Sequence, residues 1–302
     1  MSILVNENTR VIVQGITGRE GQVRTRLMQG YGPSVAAGVT PGRGGEETLG
    51  LPVFDTVAGA VNQVGAVDAS VVLVPATLAA DAAMEAMDAG VKFVVIVPDR
   101  VPLHDVMKLC KFAEEHNARF LGPNTLGCLS PGKGVLGMMG GSPEAARDFF
   151  APGRVGVTSR SGGITSSIAY YLKKAGIGTS TIVHVGGDSI VGLPHPEILR
   201  LFEEDAETDA VVMFGEIGTT QEERVAEMIR RGDFTKPLVA YIGGKQAEEG
   251  TRFSHAGAIV EGGRGDYQSK VSALGDAGAV IVERFEDLPS ETARVLAELN
   301  GK

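Results

Sequence analysis

Tryptophan is absent, cysteine occurs only twice, and basic residues are outnumbered by acidic ones, 28 against 37, for a formal charge of −9. Two thiols, Cys110 and Cys128, are too few for a disulfide framework or a cysteine-rich zinc site, and such sparing use fits a reducing cytosol. The acidic balance provides no attraction toward a nucleic-acid backbone or an anionic membrane surface. Long apolar runs are also missing. The longest, Ala69 to Ala80, contains Pro75 and is closed by Asp68 and Asp81, short of the roughly 18 apolar residues a membrane helix needs. Met1 to Glu7 carries no basic n-region and no extended apolar core, so no secretory signal is expected there. These absences predict a cytoplasmic protein with no nucleic-acid or membrane partner. What is present is a balanced globular composition: 302 residues, 43% hydrophobic and 22% charged, with 42 glycines. By length alone two domains of about 150 residues are expected.

Short β-branched runs recur along the chain: Arg10 to Val13, Ser70 to Val74, Phe93 to Val97, Val155 to Thr158, Thr181 to Val183, Ala210 to Phe214, Leu238 to Ile242 and Ala279 to Val282. Each reads as a strand buried on both faces. Alanine-rich or amphipathic stretches over 78–89, 106–118, 164–175, 222–231 and 290–299 alternate with them as helices. This βαβα order predicts an α/β fold with parallel sheets covered by helices, and ligands beyond the carboxyl ends of the strands. Pro131-Gly132, Gly140-Gly141 and Pro152-Gly153 interrupt the alternation. They place a boundary near Cys128, giving domains over 1–128 and 129–302.

Two strand-to-helix turns have the makings of anion sites. Gln14-Gly15-Ile16-Thr17-Gly18-Arg19-Glu20-Gly21 follows the first strand and opens a helix, which points free backbone N–H groups at an anion. Its Gly-x-x-Gly-x-x-Gly spacing departs from the Gly-x-Gly-x-x-Gly dinucleotide fingerprint, and the ribose-binding carboxylate some 20 residues on is missing. Arg43, in Thr40-Pro41-Gly42-Arg43-Gly44-Gly45, stands there instead. A cation at that place suits coenzyme A or NADP better than NAD. The other reading is a set of glycines that only make tight turns. Ser159-Arg160-Ser161-Gly162-Gly163 is a second candidate cradle, or equally an ordinary N-cap with a flexible approach.

Of five histidines, His104, His116, His184 and His195 fit helix surface, strand end or turn. His255 lies among small residues in Ser254-His255-Ala256-Gly257-Ala258, which leave room for a phosphoryl group beside a nucleophilic imidazole. A carboxylate on one ring nitrogen would leave the other to react, and Glu216, at the end of the strand leading into Gly215-Glu216-Ile217-Gly218, is placed for that role.

Together these residues resemble the α subunits of succinyl-CoA synthetase, the nucleoside-diphosphate-forming acid–thiol ligases. The likeness runs nearly end to end through Gln14 to Gly18, Gly38 to Gly45, Gly122-Pro123-Asn124, Ser159 to Gly162, Gly186-Gly187-Asp188, Gly215 to Gly218 and His255 to Ala258. The resemblance implies a Rossmann-like CoA-binding domain followed by a flavodoxin-like ligase domain with a phosphohistidine at His255, oriented by Glu216. Ser161 and Gly162 would hold its phosphate. Thr17, Gly18, Arg19, Glu20, Arg43, Val74, Pro75 and Asp99 would lie on coenzyme A, and Asn124 and Gly163 near the acid. No Gly-x-x-x-x-Gly-Lys-[ST] loop is present. The resemblance therefore implies a β subunit of ATP-grasp fold that brings ATP or GTP and Mg²⁺, in an αβ or α2β2 assembly.

The chain departs from the usual pattern where that pattern meets the acid. Ser-Arg-Ser-Gly-Thr-Leu-Thr-Tyr-Glu becomes Ser159-Arg160-Ser161-Gly162-Gly163-Ile164-Thr165-Ser166-Ser167, and Gly-Pro-Asn-Cys-Pro-Gly becomes Gly122-Pro123-Asn124-Thr125-Leu126-Gly127. Arg43 replaces a lysine and keeps its charge. Succinate is the first substrate expected, with malate, citrate or a sulfonated acid such as sulfoacetate as alternatives. An NAD-dependent oxidoreductase and a non-catalytic CoA sensor are the competing classes.

Overall fold

The computed structural model describes residues 2–246 and 265–301. The first half alternates strand and helix as its apolar runs predict: β1 (Arg10–Gln14), α1 (Arg19–Tyr31), β2 (Ser34–Val39), β3 (Glu47–Thr48), β4 (Leu51–Phe54), α2 (Val57–Val64), β5 (Ala69–Val72), α3 (Ala76–Asp88), β6 (Phe93–Ile96), α4 (Leu103–Glu115) and β7 (Arg119–Leu121). A hairpin, β8 (Gly127–Ser130) with β9 (Gly134–Gly137), and α5 (Pro143–Phe149) follow. The sheet order is β3-β4-β2-β1-β5-β6-β7, parallel except for the β3–β4 pair. The chain winds outward from β1 in both directions. The carboxyl end of β1 is thus the switch point, where flanking loops diverge and leave a crevice. Every residue of β5 is buried, its one polar side chain, Ser70, donating to Gln14 Oε1 at 2.8 Å. Val72, Val94 and Ile96 pack there with Ala79, Ala83 and Met87 of α3, whose small side chains let the helix lie close on the sheet.

The second half supplies β10 (Pro152–Ser159), α6 (Gly162–Lys174), β11 (Thr179–His184), α7 (His195–Glu204), β12 (Ala210–Glu216), α8 (Gln221–Arg231), β13 (Leu238–Gly243), α9 (Tyr267–Asp276), β14 (Val280–Ile281) and α10 (Leu288–Asn300). Its parallel strands lie in the order β14-β13-β12-β10-β11, so the switch point falls at the end of β10.

The chain forms two compact units, one of residues 4–148 with 190–192 and one of residues 149–189 and 193–302 with the first three residues. By compactness the chain divides between Asp148 and Phe149. The Gly/Pro-rich stretch after Cys128 reads as a linker in sequence, yet Pro131 to Lys133 forms the turn of the β8–β9 hairpin. Cys128, Leu129, Val135 and Leu136 are fully buried and β9 packs on α1, which ties the hairpin into the first unit. No helix among the described residues is long and apolar enough to cross a membrane.

Candidate functional site

In the first unit the residues assigned to coenzyme A by resemblance come from four strand ends of one sheet. Thr17, Gly18, Arg19 and Glu20 follow β1, Arg43 follows β2, Val74 and Pro75 follow β5, and Asp99 follows β6. Asn124 follows β7, with φ +59 and its N–H donating to the Pro98 carbonyl at 2.8 Å. The turn after β1 is held by close backbone approach. Gly15, at φ +84, sits where a Cβ would come within 2.7 Å of the Leu73 carbonyl oxygen. A Cβ on Gly21, in the first turn of α1, would overlap the Gly15 carbonyl oxygen and reach Ile16 Cα at 2.8 Å. Thr17 and Thr40 join the turns after β1 and β2 through their hydroxyls, 3.2 Å apart.

Helices α1 and α3 open on this edge without a side-chain cap, whereas Thr56 caps α2 by accepting from Gly59 N at 3.1 Å. Uncapped N–H groups at a helix start are the groups that bind phosphate. Arg43 is exposed and paired with Glu46, whose carboxylate raises its already high pKa. An incoming phosphate would compete with that carboxylate for the guanidinium.

In the second unit the candidate site residues lie beyond β10 and β12. Ser159 pairs with Phe214 across these strands, so Ser161 and Glu216, each two residues further along, reach the same level of the sheet. Ser161 opens α6 with no side-chain cap, and its own N–H donates to Ser159 Oγ at 3.1 Å. Gly163, in the first turn, is exposed and has open space where a Cβ would stand.

Glu216 is 1% exposed and its Oε1 accepts from Arg160 Nε at 3.0 Å. Its N–H donates to Glu222 Oε1 at 3.0 Å. Glu222 in turn takes Lys270 Nζ at 2.6 Å, and the same ammonium reaches Glu223 Oε2 at 2.8 Å and the Thr219 carbonyl. Arg160 Nη2 donates to the Asp188 carbonyl at 3.1 Å and, at 3.5 Å, to that of Gly187. Its Nη1 is buried with no acceptor among the described residues. The second unit thus keeps a fully buried cation at the end of its central strand.

His195 is fully buried at the start of α7, not on a surface or turn, with Nδ1 2.9 Å from Thr158 Oγ1. Burial, reinforced by the charges of Arg160 and Lys270 and opposed by Glu216, pushes its imidazole down to about 3. The unfolded chain therefore binds a proton that the folded one refuses, and stability is lost as pH falls from about 6.5 toward about 3. Between pH 7.5 and 5 this single group is expected to cost about 2 kcal/mol. Denaturant unfolding at the two pH values checks it. His195→Gln should flatten the dependence by that amount, and an unchanged slope would rule the assignment out.

The Gly15 to Gly21 turn, Arg43, Ser161 and Glu216 therefore stand at strand carboxyl ends as their sequence contexts predict. His255 and its neighbours lie outside the described residues. Sequence reading quoted Arg160 only as part of a turn and passed over Glu222 and Lys270. A buried lysine one turn into α9 carries no local signal, whereas Arg160, between a buried strand and a helix start, offered one.

The chain matches the CoA binding domain family over residues 6–99 and the CoA-ligase family over residues 158–280. It is 49% identical over 299 residues to "Succinate--CoA ligase [ADP-forming] subunit alpha 2" of Archaeoglobus fulgidus, covering 99% of this chain and 100% of that one. It is 42% identical over 299 residues to "ADP-forming sulfoacetate-CoA ligase subunit SqwL" of an Acholeplasma species, covering 99% and 98%. Among solved structures, an ATP citrate lyase from Methanothrix soehngenii in complex with citrate and coenzyme A has a TM-score of 0.90 at 23% identity, over 99% of this chain and 51% of the other. That last likeness is one of fold, and this chain spans about half of that longer one. With both family matches in the expected order and identities of this size over essentially full length, the chain belongs to the succinate–CoA ligase α-subunit family.

Proposed function

We propose that this chain is the α subunit of a nucleoside-diphosphate-forming acid–CoA ligase, with His255 as its phosphoryl carrier. The observation that carries the reading is the pairing, at one level of the second sheet, of a buried carboxylate, Glu216, with the uncapped N-terminus of α6 at Ser161-Gly162. A carboxylate orients an imidazole and stabilises its cationic form. A free helix start receives the phosphate that the imidazole carries.

An imidazole nitrogen of His255 attacks the terminal phosphorus of a nucleoside triphosphate, forming N–P and breaking P–O, and the diphosphate leaves. An oxygen of the acid's carboxylate then attacks that phosphorus, the imidazole leaves, and an acyl phosphate results. Finally the coenzyme A sulfur attacks the acyl carbon, C–S forms as the C–O bond to phosphate breaks, and the departing inorganic phosphate takes up the thiol proton. Dividing the transfer in this way keeps each bond change easy and shields the acyl phosphate from water.

The open helix starts of α1 and α3, with Arg43, would meet the phosphates of coenzyme A. Arg19, Glu20, Val74, Pro75 and Asp99 would border the same ligand, and Asn124 and Gly163 the acid. The nucleotide and its Mg²⁺ would come with a β subunit of ATP-grasp fold, in an αβ or α2β2 assembly in the cytoplasm. Relatives named for succinate and for sulfoacetate both exceed 40% identity, so identity alone does not choose the acid.

Intact-protein mass spectrometry of the chain co-expressed with its β subunit tests this. Incubated with Mg-ATP or Mg-GTP, wild type should gain one phosphate and His255→Ala none. One acid from a panel of succinate, malate, citrate and sulfoacetate, given with coenzyme A, should discharge it. An unlabelled wild type beside an active β subunit would overturn the reading.

A further inference from the structure

We infer that Arg160 is a positioning residue of the phosphoryl-transfer site, holding Glu216 in its ionised form and in a fixed orientation. The inference rests on the proposed role of Glu216 and adds to it a residue that acts through that carboxylate.

Sheet order is what makes the arrangement possible. Because β10 lies between β11 and β12, a side chain at its carboxyl end can reach both neighbouring strand ends. Arg160 does so, giving Nε to the Glu216 carboxylate at 3.0 Å and Nη2 to the Asp188 carbonyl at 3.1 Å. Its own carbonyl lies 3.0 Å from His184 Nε2, which pins the backbone from which the guanidinium extends. A planar fork held at two places, on a backbone held at a third, sets a direction for its carboxylate that a flexible ammonium could not.

The charge distribution points the same way. Among the described residues, titratable side chains on the surrounding elements include Arg160 on the turn before α6, His184 and Asp188 at and beyond the end of β11, His195 on α7, Glu222 and Glu223 on α8, Tyr241 on β13 and Lys270 on α9. Lys270 is bound to Glu222 and Glu223, and His195 is neutral near pH 7. Arg160 is bonded to Glu216, and both are buried, at 0% and 1% side-chain exposure. Removing this cation takes a favourable charge away from a carboxylate in a low-dielectric site near Glu222, a change that favours its protonated form. A protonated Glu216 could not support the imidazolium character that phosphoryl transfer develops on its histidine.

The test is the pH dependence of histidine phosphorylation by Mg-ATP in the complex with the β subunit, followed by rapid-quench mass spectrometry. Arg160→Met should move the acid limb of the rate profile up by about one pH unit or more. Much of the rate should return at pH 8.5, and Arg160→Lys, which keeps the charge without the fork, should restore the limb but only part of the maximal rate. Coenzyme A binding serves as the folding control and should be unchanged. Should Arg160→Met fail to fold, Arg160→Met/Glu216→Gln is compared with Glu216→Gln alone. Equal rates mean that Arg160 acts through Glu216, and a further loss in the double variant means a separate structural role and overturns the inference. A wild type that takes up phosphate, with an Arg160→Met profile of unchanged shape, also overturns it while sparing the ligase reading. A wild type that takes up none defeats both.

Discussion

Replacing Lys270 by methionine is expected to lower the unfolding midpoint of the second unit by roughly 10 °C, from a loss of about 3–5 kcal/mol at about 2–4 °C each. Lys270 and Glu222 are both fully buried, and their N–O distance is 2.6 Å. Methionine fills much of the lysine stem's volume but leaves two carboxylates, one of them shut away from water, without their cation. An uncompensated buried charge is far more costly than a missing ion pair. The variant Lys270→Met/Glu222→Gln should therefore recover part of the loss, although the neutral amide accepts less strongly from Glu216 N–H. Differential scanning calorimetry of the three proteins decides it. A single variant that melts with wild type would mean that the cluster is hydrated and contributes little.

Gly21→Ala is expected to weaken coenzyme A binding by at least about tenfold, the equivalent of about 1.4 kcal/mol. The added methyl would overlap the Gly15 carbonyl oxygen, a backbone atom at the end of the central strand that cannot rotate aside. Either α1 shifts outward or the Gly15 to Gly18 turn reshapes. Overpacking of this kind costs about 1–3 kcal/mol, and here the strain falls on the N–H groups proposed to meet phosphate. Titration calorimetry measures the affinity. The phosphorylation proposed at His255, in the other half of the sequence, is the control and should be unaffected. Undiminished binding by Gly21→Ala would remove the β1–α1 turn from the coenzyme A site.

The two predictions differ in how far the sequence alone could have led to them. Gly21 stands out in a Gly-x-x-Gly-x-x-Gly run between a β-branched strand and a helix, and its geometry follows from that local context. The same is true of the strands 10–13, 93–97 and 210–214, whose apolar runs lie within observed β1, β6 and β12 apart from Val97, and of helix 222–231, which differs from α8 by one residue. The β8–β9 hairpin carries four glycines and a Pro-Gly turn within eleven residues, Gly127 to Gly137, and those residues look like a linker even though the hairpin's aliphatic side chains are buried.

Local pattern thus determined the parallel α/β class, the edges at which ligands would be held and, through ordered motifs, the family. Those properties depend on residues near one another in the chain, where periodicity, glycine placement and β-branching act directly. Tertiary structure alone decided which buried charges meet. Arg160 and Glu216 are 56 positions apart, and Lys270 and Glu222 are 48. Their partnership depends on β10 lying between β11 and β12 and on α9 packing against α8, arrangements set by the packing of whole elements and encoded in no short stretch of sequence.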